Sequence, residues 1–93
     1  MSTVNTQTLL QATFAATVAV RNETDSALSL MGLHAIAGFG SIPNDRLRVI
    51  EQHVADADHI TREIIMGLSS TDRAKAFIEK WAPRYREVEE VSL

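Results

Sequence analysis

The sequence predicts an all-α protein, a small bundle of three to four helices that forms one domain over residues 1–93. Apolar residues recur every three or four positions in the second half of the chain, and helix-capping residues precede these runs. A chain of 93 residues is too short for two domains. Folding at this length buries only about 60 to 65% of the unfolded chain's surface, so we expect a small core and a homodimer.

Charge and cysteine content narrow the classes of function. Nine Lys and Arg residues against twelve Asp and Glu residues give a net charge of −3. This balance argues against a nucleic-acid partner, because neutralising phosphates requires a basic excess. The chain has no cysteine, which excludes disulfides, thiolate metal ligands and a cysteine nucleophile. We therefore expect a cytoplasmic protein.

The first predicted element, residues 8–21, fits either a helix or a short strand. Ala, Leu and Gln up to Ala16 favour a helix, which is the preferred interpretation. The β-branched run at 17–20 favours a strand, which would have to pair with another chain. Polar residues interrupt the uncharged stretch 4–20, and no basic residue precedes Arg21. We therefore expect neither a membrane span nor an export signal.

The second predicted element is a short helix that begins at Thr24, Asp25 or Ser26, which are N-cap candidates. Gly38 and Gly40 are the predicted stop. Apolar residues surround this helix, so we expect it in the centre of the core or between subunits. These residues are Ala27, Leu28, Leu30, Met31, Leu33, Ile36 and Ala37.

The third predicted element is the longest helix, which opens at Ile42-Pro43-Asn44-Asp45 and runs to about Met66. Gly67 is its predicted stop, and Ser69 with Asp72 has the capping-box spacing for the next helix. One apolar arc is predicted to face the core, with Val49, His53 and Ile60 on its edge. The arc contains Leu47, Ile50, Val54, Ala57, Thr61, Ile64, Ile65 and Leu68.

The last predicted element is a helix with a kink. Its apolar face keeps the same phase through Pro83, so the bend is expected between Glu79 and Pro83. The residues of this face are Ala74, Phe77, Ile78, Trp81, Tyr85 and Val88.

Three residues of the long helix have the spacing of metal ligands. Asp56, His59 and Glu63 lie three and four positions apart, which brings two carboxylates and an imidazole to one face. A di-metal site in a helical bundle needs ligands from several helices, and the sequence has no second pattern of this kind. We expect no metal here, and a solvated stripe in which His59 pairs weakly with Glu63.

Neither of the histidines near apolar residues has a clear catalytic partner. His53 borders the apolar arc with Asp56 one turn away, and His34 lies in an otherwise apolar helix. We interpret both as hydrogen-bonded core or interface histidines. Gly32, Gly38 and Gly40 fit neither phosphate-binding glycine pattern, and no nucleophile motif is present. No cofactor or catalytic residue is therefore predicted.

A basic stripe flanks the aromatic face of the last helix. Arg73, Lys80 and Arg84 lie beside Phe77 and Trp81, with Tyr85 one turn further on. Cations beside aromatic rings can bind an acidic partner, although long side chains can also cover apolar surface with their charges in water. We interpret these six residues as a candidate protein-binding surface, in which Phe77 is core and Trp81 is shared between core and interface.

The sequence thus predicts a protein-interaction module. The expected function is that of a regulator, an antiactivator or an inhibitor, which occludes another protein through an apolar helical face. The alternative is a helical dimer with a pocket between helices that binds, or acts on, a small molecule.

Overall fold

The computed structural model describes residues 4–36 and 42–92, with side chains described for 4–32 and 42–88. Four helices lie in these ranges, and no strand does: α1 (Thr6–Ile36), α2 (Asn44–Gly67), α3 (Thr71–Trp81) and α4 (Tyr85–Ser92), the last two joined by a 3₁₀ turn (Ala82–Arg84). The all-α prediction is confirmed. The predicted stop at Gly38 and Gly40, and the side chain of His34, lie outside the described residues.

The first two predicted elements are one continuous helix, α1, and the strand alternative for residues 8–21 is wrong. Asn5 caps the start of this helix, because its side-chain oxygen accepts a hydrogen bond from the backbone N–H of Gln7 at 2.9 Å. Ala12, Ala15 and Ala16 are buried. Alanine has the highest helix propensity and allows another helix to approach closely, which explains why the β-branched run after Ala16 stays helical.

The predicted N-cap at Thr24, Asp25 or Ser26 is wrong because these polar side chains are accommodated within α1. The Thr24 hydroxyl donates to the carbonyl of Val20 at 2.9 Å, and Asp25 lies 4.0 Å from Arg21 one turn earlier. A residue that bonds within its own helix no longer caps a new one. Ala27, directly after them, is buried against the rest of the protein.

Helix α2 confirms the predicted start after Pro43 and the predicted end at Met66–Gly67. Its buried face is rotated from the predicted arc, towards the predicted edge residues His53 and Ile60, which are half-buried. Leu47, Val54, Thr61, Ile65 and Leu68, all predicted to face the core, are exposed. Two adjacent sides of α2 are apolar enough to be buried, and the positions of α1 and α3 decide which one is.

Ser70 caps α3, where the sequence predicted a capping box at Ser69. The Ser70 hydroxyl accepts from the backbone N–H of Arg73, while Ser69 donates its hydroxyl to the Met66 carbonyl at 2.6 Å. Pro83 has no N–H for the carbonyl of Glu79. The predicted kink accordingly takes the form of the 3₁₀ turn between α3 and α4.

The core lies where α3 crosses the antiparallel pair of α1 and α2. Phe77 and Trp81, with 5% and 3% of their surface exposed, pack against the buried alanines of α1. Ile60 and Ile64 contribute from α2. Large aromatic side chains against a strip of alanine fill the space between close helices without voids.

Gly67 is required for the close approach of α2 to α3. A Cβ atom at this position would lie 2.7 Å from Cγ of Phe77, which is well inside van der Waals contact. The sequence predicted Gly67 as a helix stop. Gly67 is the last residue of α2 and does not have a positive φ, so the packing against Phe77, rather than a left-handed turn, explains the glycine.

Candidate functional site

Glu63 of α2 connects three side chains at the edge of the core. One carboxylate oxygen accepts from Nζ of Lys80 at 2.6 Å and lies 3.1 Å from Nε2 of His59. The other accepts from Nε1 of Trp81 at 2.9 Å. The half-buried carboxylate thus satisfies the only polar group of a buried tryptophan and joins α2 to α3.

This network lowers the pKa of Glu63. Burial by itself would raise the pKa, but the hydrogen bonds from Lys80 and Trp81 outweigh it, and the charges of Lys80 and His59 add to the lowering. Glu63 is therefore ionised at neutral pH, and the Lys80–Glu63 contact is an ion pair.

The three spaced residues Asp56, His59 and Glu63 do not converge. His59 pairs with Glu63 as expected, but Asp56 accepts a hydrogen bond from Gln52 at 2.9 Å. Both oxygens of Glu63 already have partners. Within the described ranges, no three His, Asp or Glu side chains come together as a metal site.

The six residues of the candidate protein-binding surface divide into core and surface. Phe77 and Trp81 are buried, which agrees with the core role expected for Phe77. Arg73, Lys80 and Arg84 are exposed, while Tyr85 is half-buried with its ring edge against Phe14 at 5.8 Å between centroids. The exposed part of the predicted surface therefore consists of the three cations and Tyr85.

Two of the cations stack on Trp81. Cζ of Arg84 lies 4.8 Å, and Nζ of Lys80 5.5 Å, from the centroid of the indole ring. Both distances are within the range of cation–π attraction. Arg73 makes only a long contact of 3.5 Å to the hydroxyl of Ser69. Neither Arg73 nor Arg84 forms an ion pair with a carboxylate in the part of the chain that the structure describes.

An apolar depression, the α2–α3 groove, runs between these two helices. It has a volume of about 240 Å³ and is lined mainly by apolar atoms. Arg73 and Lys80 border it. The lining residues are Glu63, Met66, Gly67, Arg73, Ala76, Phe77 and Lys80.

His53 bonds to α1, where the sequence suggested only Asp56 as its neighbour. Its Nδ1 lies 2.6 Å from a carboxylate oxygen of Glu23, and both side chains are about one-third exposed. The pair joins α1 to α2 beyond the end of α3. A wider depression of about 620 Å³ adjoins His53, with mostly polar residues of α1 on its other side.

A second apolar surface, which we call the back face, lies on the side of α1 and α2 away from α3. Val54 is nine residues, or two and a half helical turns, from Glu63, so the two side chains point in opposite directions. Leu10 and Leu28 are each nine residues from Ala19, which packs against the core. The back face comprises Leu10, Thr13, Thr17, Thr24, Leu28 and Met31 of α1, and Leu47, Val54, Thr61, Ile65 and Leu68 of α2.

Sequence reasoning missed the partners of Glu63 and His53. Trp81 is 18 residues from Glu63, and Glu23 is 30 residues from His53. Spacing along one helix cannot reveal such pairs, because it reports only neighbours within a turn or two.

None of the described helices is long and apolar enough to cross a membrane. Comparison of the chain with protein-family models, curated proteins and solved structures finds no match.

Proposed function

We propose that this chain is a protein-interaction module, a cytoplasmic regulator or inhibitor that works as a dimer of small helical bundles. The observation that supports this function is the α2–α3 groove, an apolar depression bordered by Arg73 and Lys80. If a partner inserts an apolar side chain here, α2 and α3 would cover that side chain. The surface of the partner around it would then be inaccessible to other proteins.

The volume of the groove favours a peptide anchor over a substrate. Small-molecule sites commonly have about 300 to 1,000 Å³, whereas this groove has about 240 Å³. Such a space suits one large apolar side chain of a partner, with the rest of the partner lying across the helices.

The charges beside the groove select the chemistry of the partner. Lys80 is already paired with Glu63, while Arg73 lies on the edge of the groove. Arg84, in the 3₁₀ turn after α3, lines the neighbouring depression together with Lys80. Because the chain as a whole has a net charge of −3, this edge is a local basic patch. It favours a segment in which carboxylates flank an apolar anchor.

Random peptides displayed on phage and selected on the purified chain test this function. We expect selected peptides to contain Leu, Phe or Met next to Asp or Glu. The variant Arg73→Glu should weaken their binding by about fivefold or more, since it reverses the charge beside the groove.

The variant Lys75→Glu is the matched control. It makes the same change of net charge at an exposed position of the same helix that does not line the groove, so binding should be nearly unchanged. Selected peptides without acidic residues, or equal losses in the two variants, would contradict the proposal.

The second candidate is binding or conversion of a small molecule. The observation in its favour is the depression of about 620 Å³ beside His53, whose volume is in the range of ligand sites. A compound that raises the melting temperature of the wild type, but not of His53→Ala, would favour this function.

A further inference from the structure

The back face is apolar although four threonines contribute to it. Their hydroxyls donate to the carbonyls of the residues four positions earlier, at 2.7 Å for Thr13 and Thr17, 2.8 Å for Thr61 and 2.9 Å for Thr24. A hydroxyl whose proton is already bonded can lose its contact with water at little cost. These positions are therefore suited to burial against another surface.

More large apolar side chains are exposed than buried. In the described part of the chain, ten are exposed, whereas only Ile50, Phe77 and Trp81 among the buried apolar residues are larger than alanine. Seven of the ten lie on the back face, including Leu10 and Ile65 with 65% and 62% of their surface exposed. A contiguous surface of this kind on a small protein marks an interaction site.

We propose that the back face is the interface of a homodimer of this chain, in which two α1–α2 hairpins pack face to face. The proposed function assumes a dimer, and this inference identifies the interface of that dimer. It does not depend on the proposed function in any other way.

The area of the back face matches what a dimer needs. Helix α2 has 24 residues, so it is about 36 Å long, and a pair of packed helices is about 20 Å wide. The face therefore measures on the order of 700 Å², close to the about 800 Å² that each partner contributes to a standard interface.

The register of the hairpin makes the back face complementary to itself. The Glu23–His53 contact fixes which residues of α1 and α2 are level, that is, at the same height along the axis of the hairpin. If the two-fold axis runs parallel to the hairpin, α1 of one copy lies on α2 of the other at the same level. Leu10 of one copy then meets Ile65 of the other on each side of the two-fold axis, at one end of the interface, as a four-helix arrangement requires.

The same register applies at the other end and in the middle of the face. Leu28 of one copy meets Leu47 of the other, and Thr24 meets Val54. Large side chains thus meet near the ends of the hairpin, and smaller ones meet between them, which allows the helices to approach closely.

Charges at the edge of the interface are complementary as well. Arg21 is eleven residues, or about three turns, from Leu10, and therefore lies along the outer edge of the back face on α1. Glu51 and Asp58 lie on the outer edge on α2, one turn before and after Val54. In the proposed arrangement, Arg21 of one copy is level with the interval between Glu51 and Asp58 of the other.

Sedimentation equilibrium of the full chain and of two matched variants tests the interface. Val54 and Val49 lie on the same helix with 52% and 47% of their surface exposed, but only Val54 is on the back face. We expect the wild type to dimerise at micromolar concentration, Val54→Glu to raise the dimer dissociation constant at least tenfold, and Val49→Glu to leave it unchanged.

The charge pair tests the arrangement of the two copies. Arg21→Glu should weaken the dimer by about tenfold at low ionic strength, because the contact occurs twice by symmetry. Arg21→Glu/Glu51→Arg should restore it. Circular dichroism of each variant verifies that the helices remain, since all the substituted residues are exposed.

A wild type that stays monomeric at about 100 micromolar, or equal effects of Val54→Glu and Val49→Glu, would overturn the inference. So would a double charge variant weaker than Arg21→Glu alone. Peptide binding to the α2–α3 groove is measured separately in Val54→Glu. Retained peptide binding by a monomeric Val54→Glu supports the inference and leaves the proposed function intact, whereas peptide binding that Arg73→Glu does not weaken contradicts only the proposed function.

Discussion

The indole Nε1 of Trp81 donates a hydrogen bond to Oε2 of Glu63 at 2.9 Å. This bond places a carboxylate of α2 against a buried ring that packs on the alanines of α1 and has Lys80 and Arg84 over it. Lys80, the residue before Trp81, bonds to the other oxygen of the same carboxylate. Glu63 therefore bonds both to an exposed residue of α3 and to a residue of α3 in the protein core. Substitutions of Glu63 should accordingly change the stability of the fold.

Two substitutions of Glu63 should destabilise the protein by different amounts. Glu63→Ala leaves the buried indole N–H without an acceptor, so we expect the free energy of unfolding to fall by about 1 to 3 kcal/mol. Glu63→Gln should cost less, because the amide oxygen can still accept the indole proton. Urea unfolding at neutral pH measures both variants, and equal stability of Glu63→Ala and the wild type would contradict this role.

The stability of the protein should decrease in acid because of the same residue. The pKa of Glu63 in the folded protein is lower than its ordinary value of 4.5. A carboxyl group whose pKa is lowered by folding stabilises the folded protein at pH values above its pKa in the unfolded chain. This contribution is lost as the pH falls from about 4.5 through the pKa in the folded protein. Urea unfolding of the wild type and of Glu63→Gln between neutral pH and about pH 3 measures the effect. The difference in stability between the two proteins should shrink in this acid range, and a constant difference would contradict the assignment.

Two glycines should respond in opposite ways to substitution by alanine. Gly67→Ala places a Cβ atom 2.7 Å from the Phe77 ring, and overpacking of this kind costs about 1 to 3 kcal/mol. Among the described residues, no atom beyond the helix's own backbone and the adjacent residues lies within 4 Å of a Cβ atom at Gly32 of α1. Gly32→Ala should stabilise the helix by about 0.5 to 1 kcal/mol. Thermal unfolding of both variants gives the comparison, and a stabilised Gly67→Ala would show that α2 and α3 are further apart.

Trp81 should report burial directly, because it is the only tryptophan of the chain. With 3% of its surface exposed, we expect blue-shifted fluorescence, little quenching by acrylamide and a red shift on unfolding. Trp81→Ala should lower the free energy of unfolding by about 3 to 5 kcal/mol, as cavities left by large aromatic residues do. Strong acrylamide quenching in the native protein would contradict the core position of this ring.

The sequence by itself determined the helical class, the bounds of α2 and the inward face of α3 and α4. These features depend on contacts within a few residues. Proline and acidic residues at the start of α2, and apolar residues repeated at Phe77, Trp81 and Tyr85, act through the geometry of one helix. The weak pair His59–Glu63 was predictable for the same reason, since it spans one turn.

Only the tertiary structure decided the continuity of α1, the buried side of α2 and the partners of Glu63 and His53. Thr24, Asp25 and Ser26 are better suited to cap a helix than to lie within one, and the packing of α1 along α2 overrides this local preference. Helix α2 has apolar residues on more than one side. Helix α1 covers His53 through Glu23, and Ile60 packs against the core around Trp81, while Val54 and Ile65 stay exposed. Such choices depend on contacts 18 or 30 residues apart along the chain, which periodicity along a single helix does not encode.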